Sequence, residues 1–134
     1  MIALLDTSVL IALRSAGETP PELSGFDDLC VSSLSWNELT LGIAAARDLP
    51  TYKQRSFRLD VLQRTYGEGL AYDESCVEMF GQVLDRVVQR GGDPRAHRYD
   101  RMLAATAMAH DLTLVTRNAG DFRILDGLLD VVER

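Results

Sequence analysis

The chain of 134 residues has only two cysteines, few aromatic residues and no long apolar run. No apolar stretch reaches the roughly 18 residues that a membrane span needs, and the apolar N-terminal segment is interrupted by Asp6 and lacks the basic leader of a signal peptide. Cys30 and Cys76 have neither a Cys-x-x-Cys spacing nor a histidine cluster beside them, so we expect two core residues rather than a disulfide or a zinc site. We therefore expect a cytoplasmic protein without a membrane-spanning helix.

Histidine and lysine are also scarce, since the chain has only His97, His110 and Lys53. No Ser-His-Asp set is apparent, and no glycine-rich phosphate loop is present. The net charge of -6 argues against a protein that coats nucleic acid non-specifically. It does not exclude an enzyme that acts on nucleic acid, because local fields matter more than the summed charge. The length predicts a single domain over residues 1–134.

Short apolar runs alternate with amphipathic stretches along the chain. The predicted strands are residues 2–5, 29–34, 69–73, 112–116 and 128–132, and the predicted helices are residues 7–14, 35–47, 50–66, 74–90 and 100–110. This alternation predicts an α/β fold with a central parallel sheet flanked by helices on both faces. In such sheets, ligands bind beyond the carboxyl ends of the strands.

Several acids are predicted at that edge of the sheet. Asp6 ends the first predicted strand. Glu38 lies in the first turn of the helix that follows the second predicted strand, and Asp121 lies in the polar loop after the strand "LTLVT". Asp100 begins a helix that leads back into the sheet, although the pattern alone does not fix which edge it occupies.

Each acid also has a purely structural interpretation. Asp6 could cap a helix, Glu38 could form a capping box with Ser35, Asp100 could favour the positive end of its helix, and Asp121 could be a turn residue. Together these interpretations are weaker, because they would gather like charges at one edge with no cation to neutralise them. Oxygen ligands without a cysteine or histidine set select Mg²⁺ or Mn²⁺.

Three segments resemble a known family. They are "IALLDTSVLIAL" with Asp6, "SSLSWNELTLGI" with Glu38, and "YDRMLAATAMAHDLTLVTRNAGDF" with Asp100 and Asp121. This ordered set resembles the PIN-domain nucleases, and the length and the Asp-Thr-Ser opening look most like the VapC toxins of toxin–antitoxin pairs. The resemblance covers nearly the whole chain and implies a PIN-like fold.

The resemblance further implies a Mg²⁺- or Mn²⁺-dependent endoribonuclease that cleaves phosphodiesters with a metal-activated water. Asp6 and Asp100 are the strongest metal-ligand candidates, Glu38 and Asp121 would complete the acidic pocket, and the supporting positions are Ser8, Thr116 and Asn118. The implied partners are an RNA substrate and a VapB-type antitoxin, with the chain in a homodimer or a toxin–antitoxin hetero-oligomer.

A basic group precedes and follows Asp100. Arg95, Arg98 and Arg101, together with His97, are candidates for contacts with RNA phosphates or with an acidic antitoxin segment, and their alternative is an ordinary solvated surface. Two other functions stay open at this point. A haloacid-dehalogenase-like phosphatase would also have an acid-tipped first strand, but Ser8 stands where many of those enzymes need a second aspartate. A non-catalytic metal- or RNA-binding module is the other alternative.

Overall fold

A four-stranded parallel sheet lies at the centre of the fold. The computed structural model describes all residues, 1–134. The strands are β1 (Ile2–Leu5), β2 (Asp28–Cys30), β3 (Thr113–Thr116) and β4 (Val131–Glu133), in the order β2-β1-β3-β4. Leu4 of β1 pairs with Cys30 on one side and with Leu114 on the other. The predicted parallel sheet is therefore confirmed, with β1 and β3 at its centre.

Helices cover both faces of this sheet, as predicted. They are α1 (Thr7–Leu13), α2 (Ser33–Ala44), α3 (Leu49–Tyr66), α4 (Glu74–Gln89) and α5 (Arg98–Ala109), and a 3-10 helix spans Ala119–Leu125. Strand side chains alternate between the faces, so Leu5 and Val115 pack with α1, α2 and α3, whereas Leu4 and Leu114 pack with α4, α5 and the 3-10 helix. None of these helices has the length and apolar character that crossing a bilayer requires.

The second predicted strand is shorter than expected. It ends at Cys30 rather than at residue 34, because Ser32 caps the next helix. The Ser32 side chain accepts a hydrogen bond from the Leu34 N–H at 3.0 Å and caps α2, which therefore begins at Ser33, two residues before the predicted start. Sequence patterning did not distinguish which serine of this segment is the cap.

The predicted strand at residues 69–73 is wrong. Only Leu70 pairs with the sheet region, through a single bridge to Ser32. Its N–H donates to the Val31 carbonyl at 2.8 Å, and its carbonyl accepts from the Ser33 N–H at 3.0 Å. The segment thus covers the start of α2 and then leads into α4, without adding a strand.

The polar loop predicted after β3 contains the 3-10 helix. Phe122 and Leu125 of this helix are buried in the core beside α4 and α5, which explains why this segment forms regular structure. The last strand also starts three residues later than predicted, at Val131. Both cysteines are free, as expected; Cys76 is buried, and burial raises the pKa of the half-buried Cys30 thiol to about 11.

Candidate active site

Asp6 lies at the carboxyl end of the central strand β1 and is held rigidly there. Its backbone N–H donates to the Val115 carbonyl at 2.8 Å, which extends the pairing between β1 and β3. Its side chain is 7% exposed, and one carboxylate oxygen, Oδ2, accepts from Thr116 Oγ1 at 2.7 Å and from Ser8 Oγ at 3.0 Å. Asp6 occupies the N-cap position of α1, as its structural interpretation expects, but its side chain makes no capping hydrogen bond and is directed into the hydroxyl network instead.

The two hydroxyls that hold Asp6 are themselves fixed by the chain after β3. Thr116 Oγ1 accepts from the Asn118 N–H at 3.1 Å, and Ser8 Oγ accepts from the Arg117 N–H at 3.2 Å. Thr116 and Ser8 therefore have geometry that fits their predicted supporting role. Asn118 contributes through its main chain, because its N–H rather than its side chain takes part in this network.

Glu38 reaches the same edge from α2. It lies in the second turn of that helix, where its Oε1 accepts from Thr7 Oγ1 at 3.0 Å. The capping box with Ser35 is wrong, because the helix starts earlier and Ser35 is buried within it. Burial raises the pKa of Glu38, and the charges of Asp6 and Asp100 raise it further, against the opposing effect of the Thr7 hydroxyl. Thr7 was not among the predicted site residues.

Asp100 arrives at this edge because α5 leads into β3. A helix that enters a parallel strand runs opposite to it, so the first residues of α5 lie at the carboxyl end of the sheet. Burial raises the pKa of Asp100, and the charges of Asp6 and Asp121 add to that increase. His97 Nδ1 lies 3.7 Å from the Asp100 carboxylate and acts in the opposite direction. This contact was also not anticipated from the sequence.

Asp121 is the most open of the four acids. It lies in the first turn of the 3-10 helix, is exposed, and forms no side-chain hydrogen bond. Its charge nevertheless raises the pKa of Asp100, so Asp121 lies near Asp100 on this side of the site. We refer to Asp6, Glu38, Asp100 and Asp121 as the acidic cluster.

The donor chemistry of the acidic cluster fits a hard divalent cation. All four side chains supply carboxylate oxygens, which Mg²⁺ and Mn²⁺ prefer. Burial raises the pKa of Glu38 and Asp100, and neighbouring carboxylates raise it further, so a cation would offset part of this repulsion. As they stand, no three acidic, histidine or cysteine side chains converge closely enough to hold one ion. Binding would therefore require the carboxylates to move together.

The basic residues before and within α5 differ in exposure. Arg95 and Arg98 are exposed, whereas Arg101 is only 5% exposed and donates to the Asp93 carbonyl. The prediction that Arg101 contacts RNA is therefore wrong, because its guanidinium ties the preceding loop to α5. His97 adopts a left-handed conformation with φ of 53° immediately before the helix.

The acidic cluster does not line the cavity at the other end of the sheet. That cavity, of about 730 Å³, is bordered by Ile2, Thr113 and the methionines Met1, Met79 and Met108. Ile2 and Thr113 begin β1 and β3, so it lies at the amino edge. Most of its lining residues are hydrophobic and its only acids are Asp111 and Asp130, so the candidate chemistry stays with the four acids at the carboxyl edge.

The fold and the acidic cluster together define an α/β protein with a carboxylate site at the carboxyl edge of its sheet. The family model described as the PIN domain matches residues 3–128, and the chain therefore belongs to the PIN domain family. PIN domains are nucleases. Membership confirms the resemblance inferred from the sequence and argues against the haloacid-dehalogenase alternative.

Solved structures agree with this assignment. The chain is similar to VapBC-5 of the VapBC toxin–antitoxin systems from Mycobacterium tuberculosis, with 26% identity, a TM-score of 0.77 and coverage of 98% of this chain and 96% of that one. It is also similar to FitAcB from Neisseria gonorrhoeae, with 28% identity, a TM-score of 0.78 and coverage of 98% and 96%.

VapBC2 from Rickettsia felis, bound to a DNA fragment from its promoter, shares the fold. Its identity is 19% and its TM-score 0.80, with coverage of 100% of this chain and 99% of that one. At this level of identity the likeness concerns the fold alone. A search of curated proteins found no significant match.

Proposed function

We propose that this chain is a metal-dependent endoribonuclease and the toxin of a type II toxin–antitoxin pair. The supporting observation is the acidic cluster, in which Asp6, Glu38 and Asp100 come from a strand and two helices and meet at the carboxyl edge of the sheet. The raised pKa values of Glu38 and Asp100 arise from burial and from the neighbouring carboxylates. A purely structural role for these residues would not require like charges to be placed together.

Asp6 and Asp100 are the residues we assign as metal ligands, with Glu38 and Asp121 completing the site. When bound, Mg²⁺ or Mn²⁺ would activate water and neutralise charge on the phosphodiester. The chain itself supplies the orientation of the ligands. Thr116 and Ser8 fix the Asp6 carboxylate, and Thr7 fixes Glu38, so these two carboxylates are oriented before a cation binds. The expected products carry a 5′-phosphate and a 3′-hydroxyl.

The proposed partner is a VapB-type antitoxin. Two similar structures above 25% identity are VapBC-5, a member of the VapBC family of toxin–antitoxin systems, and FitAcB. Both match this chain over nearly its whole length. A homodimer or a toxin–antitoxin hetero-oligomer is the expected assembly. Coexpression with the neighbouring small gene should yield a copurifying protein that inhibits cleavage, and repeated absence of any inhibitor would contradict the pairing.

The nuclease activity can be tested with purified protein free of any antitoxin. We expect cleavage of at least one structured cellular RNA in Mg²⁺ or Mn²⁺ and none in chelator. Asp6→Asn and Asp100→Asn should abolish cleavage, because each removes a charged ligand. Asp85→Asn is the matched control, since Asp85 is exposed on α4 and forms no hydrogen bond or ion pair through its side chain.

Undiminished cleavage by both Asp6→Asn and Asp100→Asn would exclude the assigned site. RNA binding without cleavage under every metal condition would instead identify a non-catalytic binding module. Sequencing the 5′ ends of fragments after a brief pulse of expression would then identify the RNA that is cut.

A further inference from the structure

A groove between α1 and α3 contains arginines without acidic partners. The groove has a volume of about 750 Å³ and lies between the end of α1, with its following loop, and the first half of α3. Arg14, Arg55 and Arg58 line it, and Glu18 is the only acid among the lining residues. None of the three arginines forms an ion pair, so the groove has an excess of positive charge in a protein whose net charge is -6.

Arg58 lacks a hydrogen-bond acceptor within the protein. Its Nε is buried and has no partner, and burial together with the charge of Arg55 lowers its pKa. Arg55 is held in place because its guanidinium donates to the Gly42 carbonyl. A buried N–H without an acceptor costs free energy, and a guanidinium presents donors in a geometry that suits phosphate or carboxylate oxygens. The groove therefore offers unpaired guanidinium donors to an anionic ligand.

Helices α1 and α2 connect the acidic cluster with the groove. Gly42, which holds Arg55, follows Glu38 by four residues on α2, a rise of about 6 Å along the helix. On the other side, α1 begins directly after Asp6 and ends beside Arg14, a rise of about 10 Å over its length. A strand bound in the groove would therefore extend about two helical turns along α1 to reach Asp6.

We propose that this groove binds the phosphate backbone of a single RNA strand whose cleaved bond lies at the acidic cluster. Arg14 and Arg58 contact phosphates. Phe57 also lines the groove and is 64% exposed, so its ring is available to stack on a base. Arginines beside an exposed aromatic ring are the combination that binds the phosphates and bases of single-stranded nucleic acid, which favours RNA as the occupant. The inference rests on the proposed function and names the surface that positions its substrate.

Binding in chelator tests the groove separately from cleavage. The probe is a fluorescein-labelled oligouridylate of about 12 nucleotides, measured by fluorescence anisotropy at several salt concentrations. The double variant Arg14→Gln/Arg58→Gln should reduce the slope of log affinity against log salt by about 0.7 for each phosphate that the protein no longer neutralises. Arg64→Gln removes an arginine from α3 outside the groove, where it pairs with Asp60 at 3.0 Å, and its slope should match the parent.

Phe57→Ala gives an independent readout. It should weaken binding about fivefold or more, because the ring no longer stacks on a base, while leaving the salt slope unchanged. Thermal melts establish that each variant is folded; if the double variant does not fold, Arg14→Gln alone replaces it, because Arg14 is exposed.

Equal salt slopes for the groove variants and Arg64→Gln would overturn the proposal, as would failure of the parent to bind the oligonucleotide. If an oligoglutamate peptide, but not RNA, bound the groove variants more weakly than the parent, the occupant would be a protein and the RNA assignment would fall. Binding is measured in chelator and so does not depend on cleavage. If the protein failed to cleave RNA but the groove variants still reduced the salt slope, the groove would remain an RNA-binding surface.

Discussion

The Asp6 carboxylate depends on hydroxyl groups that belong to other parts of the chain. Thr116 is fully buried and donates to Asp6 at 2.7 Å, the shortest of the contacts that hold this acid. Thr116→Val keeps the shape but removes the donor. We expect a decrease of about 1–3 kcal/mol in the free energy of unfolding, because a buried carboxylate loses a partner, and a marked fall in RNA cleavage. Denaturant titration and the cleavage assay measure the two effects.

Thr106→Val is the matched control for this substitution. Thr106 is equally buried, but its hydroxyl donates to the Met102 carbonyl within α5, away from the acidic cluster. Cleavage should persist in this variant. If Thr116→Val cleaved RNA as well as Thr106→Val, the orientation of Asp6 by Thr116 would be irrelevant to activity.

The raised pKa of Asp100 predicts how stability varies with pH when no metal is bound. A folded-state pKa above the unfolded value stabilises the fold below the unfolded pKa, and this contribution is lost as pH rises through the folded pKa. Asp100→Asn removes the titration. The variant should therefore gain stability relative to the parent as pH rises from about 4 to 7, as measured by denaturant unfolding in chelator.

Asp48 provides a control of opposite sign. It caps α3 by accepting from the Thr51 N–H at 2.8 Å, and this hydrogen bond lowers its pKa. Its contribution is present above the unfolded pKa and is lost as pH falls through the folded value. Asp48→Asn should thus be least stable relative to the parent near neutral pH. A difference for Asp100→Asn that did not change with pH would mean that neither burial nor the neighbouring carboxylates raise the pKa of Asp100.

Helix α2 owes its position to contacts that the sequence pattern did not reveal. Gly69 lies against the start of this helix, where an added Cβ would come within 2.5 Å of the Ser33 nitrogen. Backbone atoms cannot yield as a flexible side chain can, so Gly69→Ala should cost about 1–3 kcal/mol of stability. It should also weaken cleavage, because α2 contributes Glu38. Thermal melts and the cleavage assay measure both.

Gly81→Ala tests whether the loss is specific. Gly81 lies within α4, and a Cβ added there meets nothing within 4 Å. Replacing a helical glycine by alanine should stabilise the protein by about 0.5–1 kcal/mol. Equal and small effects of the two substitutions would show that residues 69–73 do not position α2.

Much of this arrangement was predictable from local patterns, and the errors have a common cause. Alternating apolar runs predicted β1, β3 and most helices, and the strand ends predicted where Asp6 and Asp121 would lie. The serines 32, 33 and 35 all have capping chemistry, so only tertiary contacts decide that Ser32 caps α2. Likewise, the burial of Arg101 follows from the loop that it holds, which is not visible in the residue pattern.

The acidic cluster spans the two halves of the molecule. Glu38 comes from the face of the sheet covered by α1, α2 and α3, whereas Asp100 and Asp121 come from the face covered by α4, α5 and the 3-10 helix. Asp6 lies between them at the end of the central strand. A cation bound by this set would connect elements from both hydrophobic cores, so its binding should stabilise the whole fold rather than one loop.

This arrangement predicts metal-dependent global stability. At a hundredfold excess over its dissociation constant, Mn²⁺ should stabilise the parent by roughly 2.7 kcal/mol, because it binds the folded state. For a chain of this length the melting temperature should rise by on the order of 10 °C. Asp100→Asn should respond less, since it lacks one ligand and has less repulsion to relieve. Thermal melts in chelator and in Mn²⁺ compare the two proteins directly.

The alternative interpretation of Asp100 predicts the reverse pattern. If Asp100 only favours the positive end of α5, its removal should cost up to about 1 kcal/mol and Mn²⁺ should have no effect on the parent. Asp85→Asn separates a general effect of ions on the melting temperature from binding at the acidic cluster. It removes an exposed acid from α4, and its melting temperature should respond to Mn²⁺ as that of the parent does. A destabilised Asp100→Asn variant together with a parent that ignores Mn²⁺ would mean that the acidic cluster does not bind metal. A larger response in the parent and Asp85→Asn than in Asp100→Asn would place the cation at the carboxyl edge of the sheet.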